Sequence, residues 1–126
     1  MENYTNVGTA KTPTINFDLT TGIMQITGCS IPENPIEFYK PLIEALDVYS
    51  KIAKPTTVIT IRLEYFNTGS SKWLLEVFKK LETIHNAGSA TLINWEYVQE
   101  DEDMLEAGKD YKDIIGVPFN VVQVEG

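Results

Sequence analysis

The densest group of reactive side chains in this 126-residue sequence is the run Asn67-Thr68-Gly69-Ser70-Ser71-Lys72. Three hydroxyls and an amide packed so closely can cap a helix, frame an anion on unpaired backbone N–H groups, or offer a phosphoacceptor. A phosphate placed there would add roughly 1.5 to 2 negative charges and new acceptor oxygens. Thr68-Gly69-Ser70-Ser71-Lys72 has only the tail of a phosphate-binding loop, without its upstream glycine and spacing. The remaining candidates stand alone. His85 is the single histidine and Cys29 the single cysteine, so they build neither a transition-metal cluster nor an internal disulfide. His85 falls beside an apolar helical stripe near the helix C-terminus, where a packed imidazole is the simplest reading. Cys29 has no base near it in sequence, the setting of an inert thiol. Glu100-Asp101-Glu102-Asp103 lacks the ligand alternation and central glycine of a calcium loop and reads as a helix start. No metal and no cofactor are expected.

The elements on either side give the hydroxyl run its place. Thr56 to Phe66 alternates, with Ile59, Ile61, Leu63 and Tyr65 on one side and Thr60, Arg62 and Glu64 on the other, which predicts a strand. Its alternation, in place of continuous apolarity, predicts helices on only one face of the sheet. After the run, Leu74, Val77, Phe78, Leu81, Ile84 and His85 recur at helical spacing until Asn86-Ala87-Gly88 ends the pattern. The run is therefore the turn from a strand's carboxyl end to a helix's amino end, an edge where open α/β sheets often hold ligands and regulatory groups. From the residue types alone, a capping role for Thr68 outweighs a regulatory one.

Elsewhere, Thr14 to Leu19 and Ile23 to Thr27 predict a hairpin closed by Thr20-Thr21-Gly22. Asn34, Pro35 and Glu37 form a helix-start signature, and Tyr39, Leu42, Ile43, Leu46 and Tyr49 carry that helix to about Lys51. Pro41 inside it predicts a kink or an irregular first turn. Ala90 to Val98 reads as a strand, Glu100 to Asp113 as a helix with Met104, Gly108, Tyr111 and Ile115 inward, and Phe119 to Val124 as a last strand. Residues 1–12 read as a flexible lead-in, leaving 13–126 as one α/β domain with a mixed sheet in the order ββαβαβαβ. Its 43% hydrophobic content is enough for a core without metals or disulfides. Eighteen acidic against ten basic residues give a net charge of −8, which disfavours nucleic acid and anionic membrane as partners. The lone cysteine and the lack of a signal-peptide pattern point to the cytoplasm.

Tyr65-Phe66-Asn67-Thr68-Gly69-Ser70-Ser71-Lys72 resembles the signature of the SiaC family of regulatory phosphoproteins, long called a domain of unknown function. Thr12-Pro13, Pro32-Glu33-Asn34 and Asn94-Trp95-Glu96-Tyr97 match as well, and the likeness spans about Thr12 to Val124. The resemblance implies a STAS-like fold, similar to anti-sigma-factor antagonists, with Thr68 as the phosphoacceptor. It further implies a Ser/Thr kinase, a PP2C-type phosphatase, and an unphosphorylated form that binds and activates a diguanylate cyclase in control of cyclic-di-GMP and biofilm behaviour. Partner contacts are then expected around Asn67, Gly69, Ser70, Ser71 and Lys72, with Glu33 and Asn34 nearby and Arg62 and Glu64 on the open strand face. The competing reading is a small-molecule or nucleotide module using the helix amino end at 67–71. A hydrolase reading needs a base near Thr68 or Ser70, but the helix separates His85 from them by roughly 20 Å.

Overall fold

The structure, a computed structural model, describes residues 3–125. Six strands form one sheet in simple sequential order: β1 (Tyr4–Asn6), β2 (Thr14–Asp18), β3 (Ile23–Ser30), β4 (Thr56–Phe66), β5 (Ala90–Val98) and β6 (Phe119–Val124). β1, β2 and β3 are antiparallel neighbours, while β3 to β6 run parallel. Helices α1 (Pro35–Ser50), α2 (Thr68–Asn86) and α3 (Glu102–Ile114) make the three crossovers. Each crossover steps one strand in the same direction, so a common right-handedness puts all three helices on one face. The expected order ββαβαβαβ is present, with one short strand ahead of it. That strand falls in the stretch expected to be a lead-in: Tyr4 pairs with Phe17 and Asn6 with Ile15. Backbone pairing made it, not apolar alternation, so no pattern announced it. Residues 1, 2 and 126 lie outside the described residues.

The covered face is built from cross-strand rows. Ile15, Ile26, Ile61, Trp95 and Val121 are in register across five strands, and so are Phe17, Met24, Ile59, Ile93 and Phe119. Nine of these ten side chains are buried and Val121 is partly so. Onto them pack Tyr39, Leu42, Leu46 and Tyr49 of α1, Leu74, Val77, Phe78, Leu81 and Ile84 of α2, and Met104 and Tyr111 of α3. α1 continues as helix through Pro41, which is exposed, and its first turn is closed by the Phe38 N–H on the Asn34 carbonyl at 3.1 Å, so the irregular first turn that Pro41 allowed is absent. The face without helices carries Asn16, Gln25, Thr60, Arg62, Asn94 and Asn120, with Asn120 Nδ2 donating to Asn94 Oδ1 at 3.3 Å. β1 and β6 are the sheet edges. Among the described residues, no helix is long and apolar enough to cross a membrane.

One expectation is changed by local geometry and another is kept. Gly28 pairs with Leu63 and Cys29 with Tyr65, leaving Glu64 as an extra residue on β4. Such a bulge reverses the alternation beyond it. Tyr65, expected inward with Leu63, is therefore 57% exposed, and Phe66 turns in to meet Trp95 edge-on. His85 is half-buried, and its Nδ1 accepts the Thr91 N–H at 3.1 Å, a packing role as expected.

Trp95 is the centre of the core beneath α3. Its Nε1 donates to the Met104 carbonyl at 2.9 Å, and Phe66, Phe78, Tyr111 and Phe119 surround it. Gly108 is where the helix lies on the indole: a Cβ there would stand 2.5 Å from Trp95 Cδ1. Helix propensity alone would make Gly108→Ala stabilising by about 1 kcal/mol. The clash reverses the sign, and a net loss of about 1–2 kcal/mol is expected from urea unfolding followed by tryptophan fluorescence.

Candidate functional site

The parallel strands all end at the edge where the helices begin, and two of those helix starts touch. Pro35, the first residue of α1, packs on Gly69 in the first turn of α2; a Cβ on Gly69 would lie 3.0 Å from Pro35 Cγ. Each start is capped by an asparagine. Asn34 Oδ1 accepts the Glu37 N–H at 3.2 Å, and Asn67 Oδ1 accepts the Ser70 N–H at 2.9 Å. Glu33 and Asn34 are thereby brought beside the 67–72 turn, Asn34 in a capping role. Glu33 is exposed and reaches Lys11 at 4.0 Å.

The hydroxyls of the turn divide sharply. The cap is Asn67, with Thr68 the first helical residue, so the capping role expected of Thr68 is filled by its neighbour. Ser70, expected on the docking surface, is fully buried; its Oγ donates to the Ser30 carbonyl at 2.8 Å and accepts from Ser30 Oγ at 2.8 Å. Ser71 is half-buried and its Oγ donates to the Thr68 carbonyl at 2.8 Å. Thr68 is exposed, and among the described residues its hydroxyl has no hydrogen-bond partner. One of three hydroxyls is thus both accessible and uncommitted. An anion on it would meet the positive end of α2, with the start of α1 adjacent.

Lys72 is exposed one turn further on, beside a groove it shares with Ile43, Trp73 and Glu76 between α1 and α2. Arg62 and Glu64 lie on the open face, as expected, in a cleft with Glu96, Tyr97 and Asp101. There Arg62 donates to the Glu125 carbonyl, and the Cys29 thiol approaches Glu64 Oε2 at 3.8 Å. Desolvation, then the Glu64 charge, pushes the Cys29 thiol above its ordinary pKa, away from thiolate character.

Beneath the turn Ser70 joins residues to which the sequence reading gave no site role. Ser30, Tyr39 and Ser70 are completely buried and hydrogen-bonded together, and Tyr39 stacks its ring parallel to Trp73. Tyr111 of α3 donates to the Ser71 carbonyl at 2.8 Å. Burial raises the pKa of both tyrosines, keeping them protonated donors. Ser30 carried no sequence signal; Tyr39 and Tyr111 carried one only as inward-facing helix residues, and Ser70 as part of the hydroxyl run. The strand order bears on the nucleotide reading as well. Such sheets hold nucleotides where the order reverses and neighbouring helices part to opposite faces. Here the order never reverses.

Comparison with known proteins gives one consistent result. The family model described as SiaC family regulatory phosphoprotein matches residues 7–124. An uncharacterized protein of Pseudomonas aeruginosa strain UCBPP-PA14 is 27% identical over 114 residues, covering 90% of each chain. Among solved structures, SiaC of Pseudomonas aeruginosa in complex with diguanylate cyclase SiaD, described as its activator, superposes with a TM-score of 0.90 at 26% identity. That match covers 96% of this chain and 99% of the other. Apo-SiaC from the same organism gives 0.88 at 25% identity, over 97% and 99%.

The division of labour in the turn separates two substitutions. Asn67→Ala removes the cap and is expected to cost about 1 kcal/mol. Thr68→Ala removes an exposed group without a partner and should change stability by less than about 0.5 kcal/mol. Urea denaturation of the two variants beside the native chain checks the difference.

Proposed function

Because the chain belongs to the SiaC family of regulatory phosphoproteins, we propose that it is a non-catalytic signalling switch read through the state of Thr68. A Ser/Thr kinase phosphorylates Thr68 and a PP2C-type phosphatase restores it, in the cytoplasm. The unphosphorylated form binds and regulates an effector, a diguanylate cyclase, and so governs cyclic-di-GMP. The observation that carries this reading is the exposed, uncommitted hydroxyl of Thr68 beside a cap already supplied by Asn67. The structural likeness to a SiaC bound to its cyclase supports the choice of effector.

The physics of such a switch is differential binding: the modification acts only through the difference in affinity it makes. Phosphate on Thr68 is tolerated by the folded chain because it sits at a helix amino end. A partner surface fitted over Thr68, Gly69 and Lys72, flanked by Glu33 and Asn34, would have to accommodate a doubly charged group where it had met a methyl and a hydroxyl. Asn67 and Ser71 contribute backbone and partial side-chain surface, while Ser70 acts from below. Arg62 and Glu64 extend the surface onto the open face.

The test is a quantitative pull-down from the native host's lysate with the native chain, Thr68→Ala and Thr68→Glu as baits, each first shown to unfold at a similar urea concentration. A diguanylate cyclase held by the native chain and Thr68→Ala, and reduced at least about tenfold on Thr68→Glu, is the expected result; tenfold corresponds to about 1.4 kcal/mol. Equal recovery on all three baits would overturn the switch.

A further inference from the structure

We infer that Ser30, Tyr39 and Ser70 are positioning residues for Thr68, acting through a one-way chain of buried hydrogen bonds. Each hydroxyl has a single proton. Ser70 Oγ gives its proton to the Ser30 carbonyl, and Ser30 Oγ gives its own to Ser70 Oγ. Tyr39 must therefore donate to Ser30 Oγ. The order is Tyr39 to Ser30 to Ser70 and back to the Ser30 backbone, with no proton left over.

The chain ends on the group that holds the turn. The Ser30 carbonyl accepts both the Asn67 N–H, at 3.1 Å, and the Ser70 hydroxyl. Thr68 and Gly69 are the two residues spanning these attachments. The turn is closed a second time by Asn67 Oδ1 on the Ser70 N–H, and its far side is held by Tyr111 on the Ser71 carbonyl. Pro35 blocks movement of Gly69 toward α1. Carbon side chains of similar shape would fill this space without burying three hydroxyls. Direction is what the hydroxyls add: they fix the first turn of α2, whose Ser70 and Ser71 N–H groups are taken by Asn67, and with it the positive helix end beside Thr68. The ring of Tyr39 lies parallel to Trp73, so α1 contributes to the same setting.

This inference rests on Thr68 as the modified residue, as proposed above, but its test needs neither kinase nor partner. Phosphothreonine is installed at position 68 during synthesis of the full chain, and its second ionisation is followed by phosphorus NMR. An ordered helix start favours the dianion, so the phosphate should titrate about 0.5 unit below its value in the same chain unfolded in urea. Ser70→Ala and Tyr39→Phe should each lose at least about half of that difference. Lys72 and Glu33 are unchanged in every variant, so their charges contribute equally throughout. Tyr49→Phe is the control. It removes a hydroxyl from the other buried network, where Tyr49, Thr57 and Ser89 are linked at 2.8 and 2.6 Å at the amino end of the parallel strands. Tyr49→Phe should retain the full difference. The inference is overturned if Ser70→Ala and Tyr39→Phe retain it as well, if Tyr49→Phe loses as much as they do, or if the native chain has none. Should Ser70→Ala fail to fold, Tyr39→Phe alone decides, since it keeps the ring.

Discussion

The handedness of the crossovers is the constraint from which the rest of this molecule follows. Three strand–helix–strand units step in one direction across the sheet, and right-handed connections then leave no choice of face. All three helices bury the same side, all three begin at the carboxyl edge, and the opposite side is left to polar residues. The touching starts of α1 and α2 are the product of that arrangement, since consecutive crossovers lie side by side. A residue at the first position of α2 is thus delivered to an edge where the positive ends of two helices meet. Thr68 needs no cavity around it.

What stabilises the edge is mostly local and individually weak: two asparagine caps, a proline against a glycine, and hydroxyls beneath. Their effect is collective because they share atoms. The Ser30 carbonyl serves two donors, and Asn67 both receives from Ser70 through its side chain and gives its own N–H to Ser30. A buried polar cluster of this kind contributes little net stability and much geometric definition when every member is satisfied. Among the described residues, no buried side-chain polar atom lacks a partner.

Elements with strong periodicity were legible in the sequence. The alternation from Thr56 to Leu63, the stripe from Leu74 to Ile84 and the inward set Met104, Gly108 and Tyr111 all fall where spacing puts them. The place of the hydroxyl run, between a strand end and a helix start, was legible for the same reason. Four things were not. Tyr65 faces out because a single extra residue in β4 resets the count, and nothing in the types of Glu64 or Tyr65 signals it. Tyr4–Asn6 joins the sheet through backbone bonds that leave no side-chain pattern. Which of Asn67 and Thr68 caps α2 is a matter of one residue, and both are good caps. Ser30 is joined to Ser70 across 40 residues of sequence, a distance over which local spacing carries no information.

The sequential strand order also leaves β6 as a bare margin. Its six residues, Phe119-Asn120-Val121-Val122-Gln123-Val124, are uncharged and rich in β-branched side chains, the composition from which cross-β stacking grows. Mutual repulsion between copies carrying a charge of −8 opposes the meeting of two such margins. That repulsion fades as the medium approaches pH 4.5, where the chain is neutral overall. The charge that holds copies apart near neutrality is thus the same property that acid removes, which leaves the composition of β6 unopposed.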